Sequence, residues 1–166
     1  MNGADPLLRV QGLSVGSDTP GGLVHPVRAQ TFSIAAREVV GLVGDAGSGK
    51  STAALALLGL VRAPGRILGG SVTFGGQDLL TLPDADIRAI RGRDIGIIVQ
   101  NPRAALNPML KVGRQIGFAF AAHNQASARQ TRAQAVELLR MVGINDPERR
   151  AGAYAHERRA AWHSPR

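Results

Sequence analysis

The 166-residue sequence lacks cysteine and is poor in aromatic residues, which make up only 4% of the chain. Without cysteine there is no disulfide framework, no thiolate zinc site and no thiol nucleophile. The scarcity of aromatic rings disfavours the stacking platforms that bind single-stranded nucleic acid. The longest apolar run, residues 53–61, has nine residues, whereas a membrane-spanning helix needs about 20. The N-terminus has no charged-then-apolar leader, so we expect a cytoplasmic chain.

Acidic residues are few compared with basic ones, 12 against 20, which gives a net charge of +8. A charge of this size suits nucleic acid, anionic lipid or acidic ligands. However, 18 of the 20 basic residues are arginines, and they are scattered through the chain. We interpret this excess as the product of a GC-rich coding sequence and predict no nucleic-acid partner. The length and the 44% apolar content fit one globular domain, or a large piece of one.

Strand and helix patterns alternate along the chain, as in an α/β fold. Residues 39–43 and 95–99 are short, wholly apolar runs, typical of strands buried on both faces of a parallel sheet. Ser127 is a candidate N-cap of the last long helix, and Gly143 is a candidate stop. The predicted strands are 7–15 and 23–34, joined as a hairpin through the turn at 20–22, then 39–43, 71–74 and 95–99; the predicted helices are 51–60, 84–91, 112–122 and 129–142.

A glycine-rich segment joins the predicted strand 39–43 to the predicted helix that follows it. Such a turn aims backbone N–H groups and the positive end of the helix dipole at one anion. One of only two lysines in the chain lies at the position that reaches the β- and γ-phosphates. The segment is therefore predicted to be a phosphate-binding loop: Gly44-Asp45-Ala46-Gly47-Ser48-Gly49-Lys50-Ser51-Thr52. In this prediction Lys50 contacts the phosphates and Ser51 is a magnesium ligand. Thr52 lies just inside the helix and has no assigned role.

The sequence around this loop resembles the ATP-binding subunit of an ABC transporter. Residues 33–44 are similar to the family's approach to its Walker A loop, although the family commonly has glycine where Arg37 stands, and residues 70–79 are similar to its next strand and turn. The block Ile97-Ile98-Val99-Gln100-Asn101-Pro102, followed by residues 106–108 and 112–116, is similar to the Q-loop region of the peptide and nickel importer ATPases. The resemblance extends from about Leu7 to Glu157.

The resemblance implies an α/β P-loop NTPase core with a parallel sheet, an antiparallel β edge at the N-terminus and an incomplete helical subdomain. Residues 1–100 would form the N-terminal part of this core, 101–157 part of the helical subdomain and 158–166 an unrelated basic tail. Gln100 would be the Q-loop residue and, with Ser51, would lie at the magnesium of a bound ATP. The implied partners are membrane-spanning transporter subunits and a second ATP-binding subunit, which would place the chain on the inner face of the cell membrane.

Two departures from the family pattern bear on this prediction. Ser17 occupies the position where the family stacks adenine on an aromatic ring, which leaves base recognition open, with His25 as one alternative. After Tyr154-Ala155-His156-Glu157, the family's Leu-Ser-Gly-Gly signature is replaced by residues 158–166, and no aliphatic run ends in the Asp-Glu pair of Walker B. The switch histidine is missing too. No catalytic set is intact, so we expect nucleotide binding without efficient hydrolysis.

Three further expectations follow from the same departures. A change of reading frame near codon 158 would explain the tail, and the downstream DNA would test that hypothesis. A chain without the strands that flank residues 39–43 would be marginally stable and prone to aggregation unless partnered. Two other functions stay open: a regulatory or decoy module that docks on transporter subunits without hydrolysing ATP, and a different P-loop enzyme such as a kinase or GTPase.

Overall fold

A computed structural model describes residues 5–157 of the chain. Within this range the chain divides into two compact units, on either side of the bond between Arg91 and Gly92. The predicted tail at 158–166 lies outside the described residues. The predicted domain boundary after residue 100 stays a prediction.

The first unit contains a four-stranded antiparallel sheet in the order β2-β1-β3-β4. Strands β1 and β2 form the predicted hairpin, with Leu8 opposite Ile34 at one end and Thr19 opposite Gly22 at the turn. Strand β3 begins before residues 71–74 and pairs with β1 along nearly its whole length. The strands are β1 (Leu8–Thr19), β2 (Gly22–Ile34), β3 (Gly65–Phe74) and the short β4 (Gln77–Asp78).

The core of this unit is formed mainly by side chains of the sheet. Its largest fully buried side chains are Leu13, Leu79, Val10, Val15 and Val72, each stabilising the fold by roughly 1.5–3 kcal/mol relative to exposure. Two helices follow the pattern predicted for them, α1 (Lys50–Leu57) and α2 (Asp84–Ile90), although α1 is shorter than predicted.

The guanidinium group of Arg91 secures the end of α1. Its Nε donates a hydrogen bond of 2.9 Å to the carbonyl oxygen of Leu58, and its Nη2 also reaches the carbonyl of Gly59. The last carbonyls of a helix have no partner within the helix and carry partial negative charge. Arg91 therefore places one cation on the carbonyl of Leu58, the C-cap of α1, and on that of Gly59, the residue after it.

The two strands predicted for a parallel sheet are not formed in the described residues. Residues 39–43 and 95–99 have no strand structure, and Val39, Val43 and Ile98 are 96%, 90% and 95% exposed. An apolar strand of this kind needs neighbours on both sides and on both faces. Within residues 5–157 the only sheet is antiparallel and pairs with neither segment, so the apolar runs stay irregular.

Arg37 adopts a left-handed backbone conformation with φ of 65°. It lies in the turn between β2 and residues 39–43, which is closed by a 3.2 Å hydrogen bond from the backbone N–H of Glu38 to the carbonyl of Ala35. Glycine adopts this conformation freely, whereas a side chain is disfavoured there. The structure thus gives a physical reason for glycine at this position, and Arg37 carries the strain instead.

The second unit is helical, and its buried cluster joins three of the four helices found among residues 92–157. Val112, Leu139 and Ala151 are buried against each other, with Ile116 and Val136 packed around them. Close approach of α4 to α6 occurs at Gly113, where an added Cβ would lie 2.8 Å from the carbonyl oxygen of Ala151. The helices are α3 (Pro102–Ala105), α4 (Val112–Ala121), α5 (Ala128–Met141) and α6 (Pro147–Ala151).

The predicted ends of α5 are confirmed. Ser127 forms a capping box with Gln130, in which Oγ of Ser127 accepts from the backbone N–H of Gln130 and Oε1 of Gln130 accepts from that of Ser127 at 2.9 Å. Gly143 follows the helix with φ of 75°, the left-handed conformation expected after a helix C-terminus. No helix among residues 5–157 is both long enough and apolar enough to cross a membrane.

Candidate functional site

The glycine-rich segment between residues 44 and 49 is a tight loop that leads directly into α1. Gly47 and Gly49 have φ of 82° and 86°, values that L-residues with a side chain rarely adopt. A Cβ built on Gly49 would overlap the carbonyl oxygen of Pro26 in β2. Gly49 is therefore required twice, for its backbone conformation and for the close contact that fixes the loop against the sheet.

Lys50 closes this loop from within. Its Nζ donates hydrogen bonds of 2.7 Å to the carbonyl oxygens of Gly44 and Asp45, and one of 3.1 Å to Oγ of Ser48. An ammonium group has three N–H donors, and here each has an oxygen acceptor in the loop. The positive charge is thus held at the centre of the loop, where an anion entering it would meet the ammonium group.

The N-terminus of α1 adds backbone donors at the same place. Gly49 is the N-cap without a side chain to cap the helix, and the first intrahelical bond runs from the N–H of Ala53 to the carbonyl of Gly49 at 2.7 Å. The N–H groups of residues 50–52 precede that bond and have no intrahelical acceptor. There is no acidic residue in the first turn, so the end of this helix favours an anion.

Ser51 and Thr52 occupy the first turn of α1 in different surroundings. Ser51 is exposed, whereas Thr52 is half-buried and lines a cavity of about 430 Å³ beside the loop. Segments of β1, β2 and residues 61–65 form the other walls of this cavity, and Ser17 is one of its lining residues. Ser17, singled out in the sequence for its missing aromatic ring, is therefore on the wall of this cavity. His25 is not among the residues that line it.

Gln100 lies in the second unit, is exposed and stands two residues before the first residue of α3. Its predicted role at the magnesium ion stays a prediction. Among residues 5–157 there is no group of three or more histidine, aspartate or glutamate side chains placed to hold a metal ion.

The side chain of Gln115 holds the backbone of residues 107–110 through hydrogen bonds that the sequence did not reveal. The amide of Gln115 accepts from the backbone N–H of Asn107 at 2.8 Å and donates to the carbonyls of Asn107 and Leu110 at 3.0 and 2.9 Å. Asn107 in turn accepts from the N–H of Met109 at 2.9 Å. This clamp presents Met109 to solvent, 80% exposed. The spacing of Asn107 and Gln115 was visible in the sequence, but a contact between them was not.

One ion pair of the second unit shifts a pKa. Nη2 of Arg93 lies 2.8 Å from Oδ2 of Asp94, and this hydrogen bond is the main reason that the pKa of Asp94 lies below its usual value, with His123 adding a smaller effect in the same direction. The pair is on the surface, where such interactions contribute little to stability. Asp94 therefore stays an ordinary ionised carboxylate and gives no sign of acid–base chemistry.

Together, the sheet, the lysine-centred glycine loop and the helix that it starts define a phosphate-loop nucleotide-binding fold. The family model described as "ABC transporter" matches residues 27–158. This range covers most of the chain, so the chain belongs to the ABC transporter family. The resemblance seen in the sequence is confirmed.

Curated relatives agree with this assignment. The chain is 45% identical over 151 residues to a Brucella abortus protein named as a proposed peptide import ATP-binding protein, covering 91% of this chain and 46% of that protein. It is 40% identical over 154 residues to the oligopeptide transport ATP-binding protein OppD of Escherichia coli, covering 93% and 45%. The dipeptide transport ATP-binding protein DppD of Bacillus subtilis is 38% identical, with 92% and 46% covered. The chain spans about half the length of these relatives.

Solved structures confirm the class of fold. The ATP-binding cassette MJ0796, in a dimeric post-hydrolysis state bound to ADP and Pi, aligns with a TM-score of 0.73 at 21% identity, over 89% of this chain and 61% of that one. At this identity the likeness shows the fold alone. The predicted P-loop ATPase fold is confirmed, although residues 39–43 and 95–99 are not strands in the part of the chain described.

Proposed function

We propose that this chain binds ATP with Mg²⁺ through the loop at residues 44–52 and serves as the ATP-binding component of a peptide-type ABC importer. The observation that supports it most directly is the position of Lys50. Its ammonium group is held by the carbonyls of Gly44 and Asp45 at the centre of the loop, beside the free N–H groups of α1. One cation and several backbone donors thus converge where a triphosphate would bind.

Lys50 and the backbone N–H groups at the start of α1 bind different oxygens of the triphosphate. Lys50 exchanges its contacts with the carbonyls of the loop for contacts with phosphate oxygens, so its charge is already in place before the anion arrives. The N–H groups of residues 50–52 bind the remaining phosphate oxygens. Because Gly49 fixes the loop against Pro26, these donors are pre-organised and little ordering is needed on binding.

The exposed hydroxyl of Ser51 suits a magnesium site of the kind found with nucleotides. Magnesium keeps several waters and uses only one or two protein oxygens beside the phosphates, so one hydroxyl in the first turn fits its needs without an acidic cluster. The ion would neutralise negative charge on the phosphates. We propose Gln100 as a second, more distant contributor on the basis of the family resemblance.

Within the 166 residues no aliphatic run ends in an Asp-Glu pair. We propose that the chain as given binds nucleotide and hydrolyses it slowly, because phosphoryl transfer depends on charged groups placed around the reacting phosphate. The relatives' names support peptide as the cargo, and the nickel alternative is a weaker proposal. Membrane-spanning subunits and a second ATP-binding subunit are the proposed partners, with the chain on the inner face of the membrane.

The test is a titration with a fluorescent ATP analogue and Mg²⁺, comparing the wild-type chain with Lys50→Ala. A hydrogen bond to a charged group is worth about 1.5–3 kcal/mol, so the variant should bind tenfold more weakly or worse. Lys111→Ala is the matched control, since Lys111 is the chain's other lysine and is exposed at the start of α4. Equal affinity of Lys50→Ala and the wild type would refute the phosphate role.

A second function, that of a non-catalytic module docking on transporter subunits, has one observation in its favour. The wholly apolar segment 39–43 is exposed, with Val39 at 96% and Val43 at 90%, and exposed apolar surface of this kind marks interaction sites or aggregation. Co-purification with a full-length ATP-binding subunit at a fixed stoichiometry, independent of Lys50, would favour this function over the first.

A further inference from the structure

We propose that the carboxylate of Asp45 makes the phosphate loop discriminate between two forms of the nucleotide, because it opposes the binding of free ATP more strongly than that of the magnesium complex. The inference deepens the proposed function and rests on it, since it assumes that the triphosphate lies against Lys50 and the start of α1. It assigns a role to an acidic side chain that phosphate binding by itself does not need.

Asp45 is an acidic residue in a loop whose other features attract an anion. The ammonium group of Lys50 lies at the centre of the loop, and the first turn of α1 contains no acidic residue. Between Glu38 and Asp78 the sequence has no acidic residue except Asp45. Its carboxylate is therefore the one side-chain charge of this segment that repels an entering polyanion.

The backbone of Asp45 places this carboxylate beside the ammonium group without pairing the two. The carbonyl oxygen of Asp45 accepts hydrogen bonds of 2.7 Å from Nζ of Lys50 and of 3.2 Å from the backbone N–H of Ser48. Another Nζ donor of Lys50 is directed to Oγ of Ser48 rather than to the carboxylate. Because the side chain belongs to the same residue, it lies within the Debye length of about 10 Å at 0.1 M salt, and its charge acts on the centre of the loop.

The carboxylate of Asp45 has no cationic partner among residues 5–157. The residue is exposed, and the ion pairs of this part of the chain do not include it. Asp18, by contrast, pairs with Arg66. The negative charge of Asp45 is therefore not neutralised by a neighbour, and it acts on any anion that the loop binds.

The charge of the ligand decides how strongly Asp45 opposes its binding. ATP carries about four negative charges at neutral pH, and a bound Mg²⁺ cancels half of them. In water with about 0.1 M salt, repulsion over a separation somewhat below the Debye length lowers affinity about 1.5-fold for each ligand charge. Asp45 should therefore weaken the binding of free ATP about fivefold and that of the magnesium complex about twofold.

The experiment measures displacement of a fluorescent ATP analogue by ATP from the full chain, once with excess Mg²⁺ and once with a chelator. Asp45→Asn keeps the size of the side chain and removes its charge, so it should tighten free ATP about fivefold and the magnesium complex about twofold. Asp45→Glu keeps the charge and should retain the wild-type preference for the magnesium complex. Asp84→Asn is the matched control, since Asp84 is exposed in the first turn of α2, outside the loop, and it should change neither affinity.

Salt separates a charge effect from a change in the shape of the loop. At about 1 M salt the Debye length falls to about 3 Å, so the difference between Asp45→Asn and the wild type should disappear. A difference caused by an altered loop conformation would persist.

Three results would overturn the inference. One is an effect of Asp45→Asn that is equal with and without Mg²⁺, and another is an effect that persists at high salt. The third is weaker binding of the magnesium complex by Asp45→Asn, because the carboxylate would then contact the magnesium ion. In each case, affinity that depends on Lys50 keeps the proposed function, whereas equal affinities of Lys50→Ala and the wild type would overturn both.

Discussion

The contact between Gly49 and Pro26 gives the sharpest prediction about the loop. Replacing Gly49 with alanine adds a methyl group where the carbonyl oxygen of Pro26 already lies and forces a side chain into a left-handed conformation with φ of 86°. The backbone term alone is about 1–2 kcal/mol. The steric term adds about 1–3 kcal/mol, as for overpacking in a closed site. We expect Gly49→Ala to destabilise the first unit by about 2–5 kcal/mol in total.

Gly47→Ala is the matched control for this change. Gly47 has nearly the same φ, 82°, but no atom lies within 4 Å of its hypothetical Cβ, so only the backbone term of about 1–2 kcal/mol applies. Both variants would be unfolded in urea, with tripolyphosphate affinity as a second measurement. Gly49→Ala should shift the midpoint further, by the equivalent of the steric term of about 1–3 kcal/mol, and should weaken tripolyphosphate binding further, because α1 must move away from β2. Equal effects of the two substitutions would refute the role assigned to the Pro26 contact.

Two smaller predictions concern the exposed apolar segment and the capped helix. Val39 and Val43 are 96% and 90% exposed, and replacing both with lysine should reduce light scattering of the purified chain without lowering its unfolding midpoint. Lysine at exposed Gln77 and Thr81 adds the same charge elsewhere and is the control. An equal reduction in scattering by the control would show that the segment at 39–43 does not cause the aggregation. Ser127→Ala removes the capping box of α5 and should lower the free energy of unfolding by about 1 kcal/mol. Hydrogen exchange in the first turn of α5 should become faster. Unchanged exchange there would contradict the role of the cap.

Elements whose signals are local were predictable from the sequence. The hairpin followed from two extended stretches joined by a Gly/Pro turn, and α5 followed from Ser127 at its start and Gly143 at its end; the structure confirms both elements. The loop was also predictable, because its glycines and lysine specify backbone conformation and charge within nine residues of chain. In each case the residues that decide the structure are neighbours in the sequence.

The segments at 39–43 and 95–99 show where this reasoning fails. Their apolar composition is typical of strands buried on both faces, but a strand forms only when another strand provides partners for its backbone hydrogen bonds. Within residues 5–157 the sheet includes neither segment, and Val39 and Ile98 are almost fully exposed. The composition of these segments thus indicates that they would be buried as strands, but pairing with other strands depends on the tertiary structure.

The sequence by itself determined the phosphate loop, the helix that it starts and the family to which the chain belongs. Only the tertiary structure brought Pro26 against Gly49, Arg91 onto the end of α1, and Ser17, Thr52 and Arg62 around one cavity. The physical reason is distance along the chain. Capping and glycine conformations act within a few residues, whereas steric contact, desolvation and the walls of a cavity depend on segments that the fold alone makes neighbours.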